Sequence, residues 1–490
     1  MADFDLVIRN GTVATAADTF AADIGISEGQ IAALGKSLAR GKREIDASGL
    51  LALPGGIDSH CHIEQLSSSG VKTADDFYTG TRSAAGGGTT TIIPFAAQYR
   101  GMSLRRVVED YHALATPKAV IDYAFHMIIS DPTAEVLGQE LPALIKDGYT
   151  SFKIYMTYDS LRLDDRQVLE VLALARSEGA FVMVHAENHD VIQWLTDRLL
   201  ATGHAQPKYH AVAHAGIAES EATHRAIALS ELVDVPILIV HVSHRDAIEE
   251  IRWAQSKGLR IYAETCPQYL FLTAADLDKP GFEGAKCMCS PPPRDRSSQE
   301  AVWNGLTTGV FQVISSDHAP YRYQGSDGKQ HYGANAPFKV VANGVPGIEL
   351  RLPLLFSEGV GGGRIDLNRF VALASTNAAK LYGLYPRKGT IAVGSDADVA
   401  LWDPKKQVSV SQSMLHDAMD YTPYEGRRVT GWPVVVLSRG EVVAEDGKVT
   451  ESRGRGRFQP CALPTPAKPL GRFPEGFDAV GGRMVSGGSR

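Results

Sequence analysis

Between residues 55 and 378 the chain alternates short apolar runs with helix-like segments of roughly ten to twenty residues, the texture of repeated βα units. Eight runs read as strands: "LLALPGGID", "TTTIIPF", "IDYAFHMII", "TSFKIYMTY", "FVMVHAEN", "PILIVHVS", "RIYAETCP" and "FQVISSDHAP". Between the fourth and fifth, "DRQVLEVLALARSEG" sets Val168, Leu169, Leu172 and Ala175 on one helical face and closes on a glycine cap signal. Eight parallel strands joined by helices predict an α/β fold, a (β/α)8 TIM-like barrel, with its chemistry at the C-terminal ends of the strands.

The two chain ends have a different texture. Residues 1–54 show short alternating runs punctuated by Asn10-Gly11 and Glu28-Gly29, which read as hairpin turns. Similar punctuation returns over 379–455, in "KGTIAVGSDADVALWDP" and "WPVVVLSRGEVVAEDGKV". The two stretches are therefore expected to pack as one discontinuous small β-sandwich domain around the 55–378 barrel. Residues 456–490, rich in Gly, Pro and Arg and without periodicity, cannot bury much apolar surface alone. They read as a disordered tail or as an arm laid on a neighbouring subunit, the latter for the part through Phe477.

The ends of the candidate strands carry the chemistry. The first ends in "GGIDSHCHIEQ" with His60 and His62; the fourth carries Lys153, the fifth His185, the sixth His241 and the eighth Asp317. Singly, each has a plain structural reading, a satisfied core histidine, a turn-capping aspartate or an ion-paired lysine. Four His, one Lys and one Asp brought to one rim by five strands point instead to a metal site. Lys153 sharpens this, because a lysine inside an apolar strand is seldom buried without a partner. Burial and neighbouring dications depress its pKa toward the neutral amine, which can add carbon dioxide to form an anionic carbamate. Four imidazoles, one carbamate and one aspartate suit two Zn²⁺ ions sharing a hydroxide.

Composition narrows the functional class. Net charge is −7, with 44% hydrophobic and 21% charged residues, so no basic field draws nucleic acid or an anionic membrane. No signal peptide or spanning apolar run is evident, and the expected location is the cytoplasm. Five cysteines without regular spacing fit reduced thiols, and Cys287 and Cys289 read as buried core residues.

In order along the chain, "GGIDSHCHIEQ", "TADDFYTGTRSAAGGGTT", "TSFKIYMTY", "VMVHAEN", "IVHVSH", "SSDHAP", "NGVPGIELRLPLLF" and "YTPYEGRRVTGWP" resemble the dihydropyrimidinase and hydantoinase family of cyclic amidohydrolases, over nearly the whole chain to about residue 450. The resemblance implies hydrolytic ring opening of 5-substituted hydantoins and dihydropyrimidines such as dihydrouracil to N-carbamoyl amino acids. It implies two Zn²⁺ per subunit, or Mn²⁺ in their place, and a homotetramer, with no organic cofactor. By the motif match His60, His62, carboxylated Lys153 and Asp317 would hold one ion, and Lys153, His185 and His241 the other. Asp317 would shuttle the proton, Tyr158 would stabilise the oxyanion, and Ser290 and Asn343, with Tyr158, would bind the ring.

Two departures bear on the substrate. Cys61 stands where the family carries Thr or Val, and the following "IEQLSSSGVKTADDF" lacks the proline and bulky aromatic that shape the family's gate. Glu64 takes the place of an arginine that, in dihydroorotase-like relatives, pairs with a substrate carboxylate, so it is expected to repel such a substrate. The same chemistry on cyclic imides or allantoin is the alternative. A non-catalytic scaffold is disfavoured, since all six ligand positions are filled.

Overall fold

The computed structural model describes residues 3–67 and 69–485. Strands from both chain ends join in one nine-stranded sheet. Its two halves meet where Leu51–Pro54 pairs antiparallel with Val399–Ser409, in the register Leu53 opposite Ala400. Ile8, Ile24, Leu401 and Leu437 from both halves fill its core. Glu28-Gly29 turns the chain as expected, with φ of 53° and 78° between the strands Thr19–Ser27 and Gln30–Gly35. Asn10-Gly11, expected to be a turn, lies instead inside the strand Phe4–Ala14, where the register slips between Ile8 and Gly11. Asn10 takes its left-handed φ of 61° as a bulge, its N–H bonded to Asp23 Oδ1 (3.0 Å), so one residue of twist replaces a chain reversal.

All eight apolar runs of the middle contain barrel strands, which are parallel and buried on both faces. That burial explains why they read as continuous rather than alternating runs. The first run is shared between domains: Leu51–Pro54 belongs to the nine-stranded sheet and only Gly56–Asp58 to the barrel. The chain crosses over at Gly55, where a Cβ would sit 2.1 Å from Thr90 Oγ1 and only glycine fits. The helix Asp165–Glu178 forms as expected, closed by a capping box between Asp164 and Gln167 and by Gly179 at φ 74°. Its buried face carries Val168, Val171, Leu172 and Ala175, with Leu169 only half-buried at the edge.

The first and eighth strands close the barrel with little backbone pairing. A bridge joins Cys61 to His318, the His62 N–H donates to the His318 carbonyl (2.7 Å), and the Ser316 N–H donates to Asp58 Oδ1 (3.0 Å). Arg351, fully buried, completes the seam: Nη1 donates to the carbonyls of Ile57 (3.2 Å) and Ile314 (2.8 Å), and Nη2 to Thr89 Oγ1 (3.0 Å).

Residues 456–485, expected to be free or laid on a neighbouring subunit, run across the N-terminal end of their own barrel. Phe458 stacks on Tyr149 with ring centroids 5.1 Å apart, the Gln459 N–H donates to the Tyr123 carbonyl (2.7 Å), and Asp234 accepts from the N–H groups of Leu470 (3.0 Å) and Gly471 (2.7 Å). Arg176 pairs with Asp478 at 2.7 Å. Barrel-end groups left without helical or sheet partners thus supply the docking surface that the extension lacks by itself. All five cysteines are free and buried, and among the described residues no helix is long and apolar enough to cross a membrane.

Arg351→Ala removes the buried counter-ion of Asp58 and the Nη1 donor to the Ile57 and Ile314 carbonyls. It is expected to cost about 4 kcal/mol, the scale of breaking a buried charge pair, read as a fall in the urea midpoint.

Candidate metal and catalytic centre

His60 and His62 follow the first barrel strand, Lys153 lies within Ser151–Tyr155, His185 ends Phe181–His185, His241 follows Ile237–Ile239, and Asp317 follows Val313–Ile314. Five of the six fall into two groups, with Lys153 beside them. Ligand atoms of His60, His62 and Asp317 lie within 4.8 Å of one another, with Asp317 Oδ1 3.1 Å from His60 Nε2 and 3.4 Å from His62 Nε2. His185 Nδ1 and His241 Nε2 form the second group, 2.8 Å apart. Lys153 Nζ lies 2.7 Å from His60 Nε2, and the His60 and His241 rings are 5.3 Å apart, so the groups adjoin. His241 and Asp317 hold left-handed backbone, φ 40° and 46°, a strain that persists only where the surroundings dictate it.

A second layer of polar residues fixes which nitrogen of each ring faces the centre. Glu264 Oε1 lies 2.5 Å from His60 Nδ1, Gln65 Oε1 lies 2.6 Å from His62 Nδ1, and Glu187 Oε2 lies 2.8 Å from His185 Nε2. An acceptor oxygen on the outer nitrogen places the ring proton there and turns a lone pair inward. The inner atoms of His60, His62 and Asp317 are then all acceptors, with the Lys153 amine as their neighbouring donor, an arrangement that a cation among them stabilises. The residues therefore fit a divalent metal centre of imidazole and carboxylate.

The electrostatics agree at three of the four rings; at His60, burial and Lys153 are outweighed by Glu264 and Asp317, which hold the ring above the ordinary imidazole value. Burial lowers His62 to about 4 and holds His185 and His241 below the ordinary imidazole value, keeping them neutral as ligands must be. Burial pushes Asp317 up, but the His60, His62 and His241 rings outweigh it and keep the carboxyl well below the usual range. Burial likewise brings Lys153 down to about 8, against the pull of Asp317 and Glu264.

Above this centre opens a pocket whose walls include Tyr158, Ser290 and Asn343. Tyr158, at φ 71°, sets its ring edge-on to His185 with centroids 5.1 Å apart. Burial and the Glu187 charge push its phenol well above the ordinary value, against the Ser290 hydroxyl, so it remains a donor. His210 Nε2 lies 2.9 Å from the Cys289 carbonyl and 3.2 Å from Ser290 Oγ. Asn343 Oδ1 is buried without a protein partner.

Two expectations change here. Glu64 does not face the pocket: Lys118 Nζ binds both its oxygens at 2.8 Å and Lys72 approaches to 3.4 Å, so its charge is neutralised on the outer side. The gate, whose own loop lacks a bulky aromatic, gains aromatic walls from other segments, Tyr99 and Tyr321, beside Leu66 and Leu161. Sequence reading also missed Glu264 and Glu187. Both carry the signal that exposed Lys153, a charged residue in or just after an apolar barrel strand, in "RIYAETCP" and "FVMVHAEN".

Residues 51–443 match the model of the amidohydrolase family, and the chain belongs to that family. It is 44% identical to the D-hydantoinase of Rhizobium radiobacter over 456 residues, covering 93% of this chain and 98% of that protein. Identity to the D-hydantoinase of Geobacillus stearothermophilus is 47% over 455 residues, covering 92% and 95%. The crystal structure of dihydropyrimidinase from Brevibacillus agri superposes with a TM-score of 0.91 at 44% identity, covering 94% of this chain and 99% of that one. Within the family the chain is a cyclic amide hydrolase of the hydantoinase and dihydropyrimidinase type.

Glu264→Ala removes the acceptor from His60 Nδ1. Metal affinity is expected to fall about 10- to 100-fold, measured by competition with a chromophoric chelator, and Glu264→Gln, which keeps an acceptor oxygen, is expected to recover most of it.

Proposed function

We propose that the protein opens hydantoin and dihydropyrimidine rings to N-carbamoyl amino acids at a centre of two zinc ions bridged by carboxylated Lys153. The observation that carries this reading is the meeting of acceptor atoms from four barrel strands beside one buried amine on a fifth, Lys153 Nζ. The neutral amine adds to the carbon of carbon dioxide and loses a proton to solvent, leaving a carbamate with two oxygens. His60, His62, Lys153 and Asp317 would hold one ion, and Lys153, His185 and His241 the other. Bound there, the ions supply a water acidic enough to attack near neutral pH and a Lewis acid for the ring carbonyl.

The remaining steps belong to this chain's own residues, with backbone amide and carbonyl groups as the ring-binding atoms at Ser290 and Asn343. Ser290 and Asn343 hold the N–H and C=O edges of the ring, placing one carbonyl beneath the Tyr158 phenol. As water attacks, Tyr158 donates to the oxygen that becomes negative, which favours the transition state over the ground state. Asp317 takes the proton of the attacking water and passes it to the leaving ring nitrogen, breaking the C–N bond and freeing a carboxylate. Leu66, Tyr99, Leu161 and Tyr321 suit an apolar or aromatic substituent on the ring carbon. A homotetramer in the cytoplasm completes the reading: five free, buried cysteines suit a reducing compartment, and light scattering of the purified protein tests the subunit number.

Tyr158→Phe is expected to lower kcat on hydantoin by about 10²- to 10³-fold with KM little changed, the scale of losing one oxyanion donor. Lys153→Ala is expected to lose bound metal, by mass spectrometry, and all ring-opening activity. Wild-type enzyme active only on succinimide or allantoin, and not on hydantoin, 5-phenylhydantoin or dihydrouracil, would overturn the substrate assignment. A protein that takes up no metal from Zn²⁺ and bicarbonate would overturn the mechanism.

A further inference from the structure

Two largely irregular segments, 287–292 and 341–346, bring Ser290 and Asn343 to the pocket; a 3-10 turn ends at Cys287 and a bridge joins Val345 to His318, but Ser290 and Asn343 themselves lie in no helix or strand. Their one direct backbone link is the Gly344 N–H donated to the Met288 carbonyl (2.9 Å). Beside that link lies Lys329, 1% exposed, whose Nζ donates to the Ala342 carbonyl at 2.8 Å and the Met288 carbonyl at 3.2 Å. Its backbone N–H is tied in turn to the Arg322 carbonyl (2.7 Å). Among the described residues no carboxylate pairs with this amine. A buried lysine without a counter-ion is costly unless protein hydrogen bonds replace its lost hydration.

The position of its two acceptors indicates what that is. Ala342 precedes Asn343, and Met288 stands two residues before Ser290. On the same segment His210 Nε2 meets the Cys289 carbonyl, so successive carbonyls behind Ser290 are both held from outside the pocket. At Gly344, a Cβ would lie 2.5 Å from Ala319 Cβ, which presses the 342–344 turn against the chain just after Asp317.

We propose that Lys329 is a positioning residue of the ring-binding wall, its buried amine cross-linking the Met288 and Ala342 carbonyls so that Ser290 and Asn343 stand at a fixed spacing for a cyclic ureide. The role rests on the ring-opening function proposed above. Burial lowers the amine to about 7, against the Cys289 and Cys287 thiols, and the neutral form still offers two N–H groups for two carbonyls. The cross-link therefore survives loss of the charge, and KM is expected to stay level as Lys329 deprotonates.

Steady-state kinetics on hydantoin and dihydrouracil, with metal content measured on the same preparations, test the role. Lys329→Met fills the space without a donor. It is expected to raise KM about tenfold with kcat within about threefold and bound metal unchanged, the pattern of lost ground-state and transition-state binding alike. Lys329→Gln, which keeps one donor, is expected to fall between Met and wild type. A lysine that only stabilises the fold would lower the melting temperature and leave KM at the wild-type value, and that result overturns the role. If the Met variant does not fold, the Gln variant decides by the same criterion, a raised KM for the role and a wild-type KM against it. Wild-type enzyme inactive on every cyclic ureide removes the underlying function and this role with it; active wild type with unchanged KM in the variants removes the role alone.

Discussion

The seam between the first and eighth barrel strands is the constraint on which the rest depends. Backbone pairing there is nearly absent, and Arg351, Asp58 and the Cys61–His318 bridge do the joining. The His60–His62 pair and Asp317 come from opposite sides of that seam, so closing the barrel and assembling half the candidate centre are one event. A barrel left open by one strand would keep its hydrophobic layers and lose the geometry of its site.

The centre is built against local preference. Left-handed backbone at His241, Asp317 and Tyr158, a buried lysine, and carboxylates at 0% exposure behind the histidines each cost stability by themselves. They are held by a scaffold whose cost was met by ordinary apolar packing, with strands buried on both faces and helices outside. Polar groups within the barrel are linked in layers: Glu264 serves His60 and the His241 backbone, and Glu187 joins His185 to His214, 2.8 Å from each. Removing one member leaves its partner buried and unpaired, which is why these layers act as units.

Much of the fold was legible because apolar burial is written into residue type. Eight continuous runs give eight parallel strands, and Gly179 and the Asp164 capping box end their helix where the pattern stops. What misled were features whose meaning depends on partners. Asn10-Gly11 has turn chemistry, yet Asp23 and Asp46 hold it as a bulge within a strand. Glu64 sits beside the His pair in sequence, yet Lys118 draws its carboxylate to the far side. His126 lies in an apolar strand much as His185 does, but Ser151 and the Ser59 carbonyl occupy both its nitrogens, and only its place within rather than at the end of the run hints at this.

By itself the sequence determined the periodicity, hence the barrel, and the residue types at the strand ends, hence the class of chemistry. Both are properties of a short stretch of chain: alternating solvation fixes secondary structure, and side-chain type fixes what an atom can donate, accept or bind. The tertiary structure decided everything that needs two distant stretches at once. It set which ring nitrogen turns inward, through Glu264, Gln65 and Glu187; where the aromatic walls of the pocket come from; and that the extension beyond residue 455 lies on its own barrel. Those outcomes follow from hydrogen bonds and burial between residues far apart in the chain, whose meeting depends on closure and packing rather than on any local pattern.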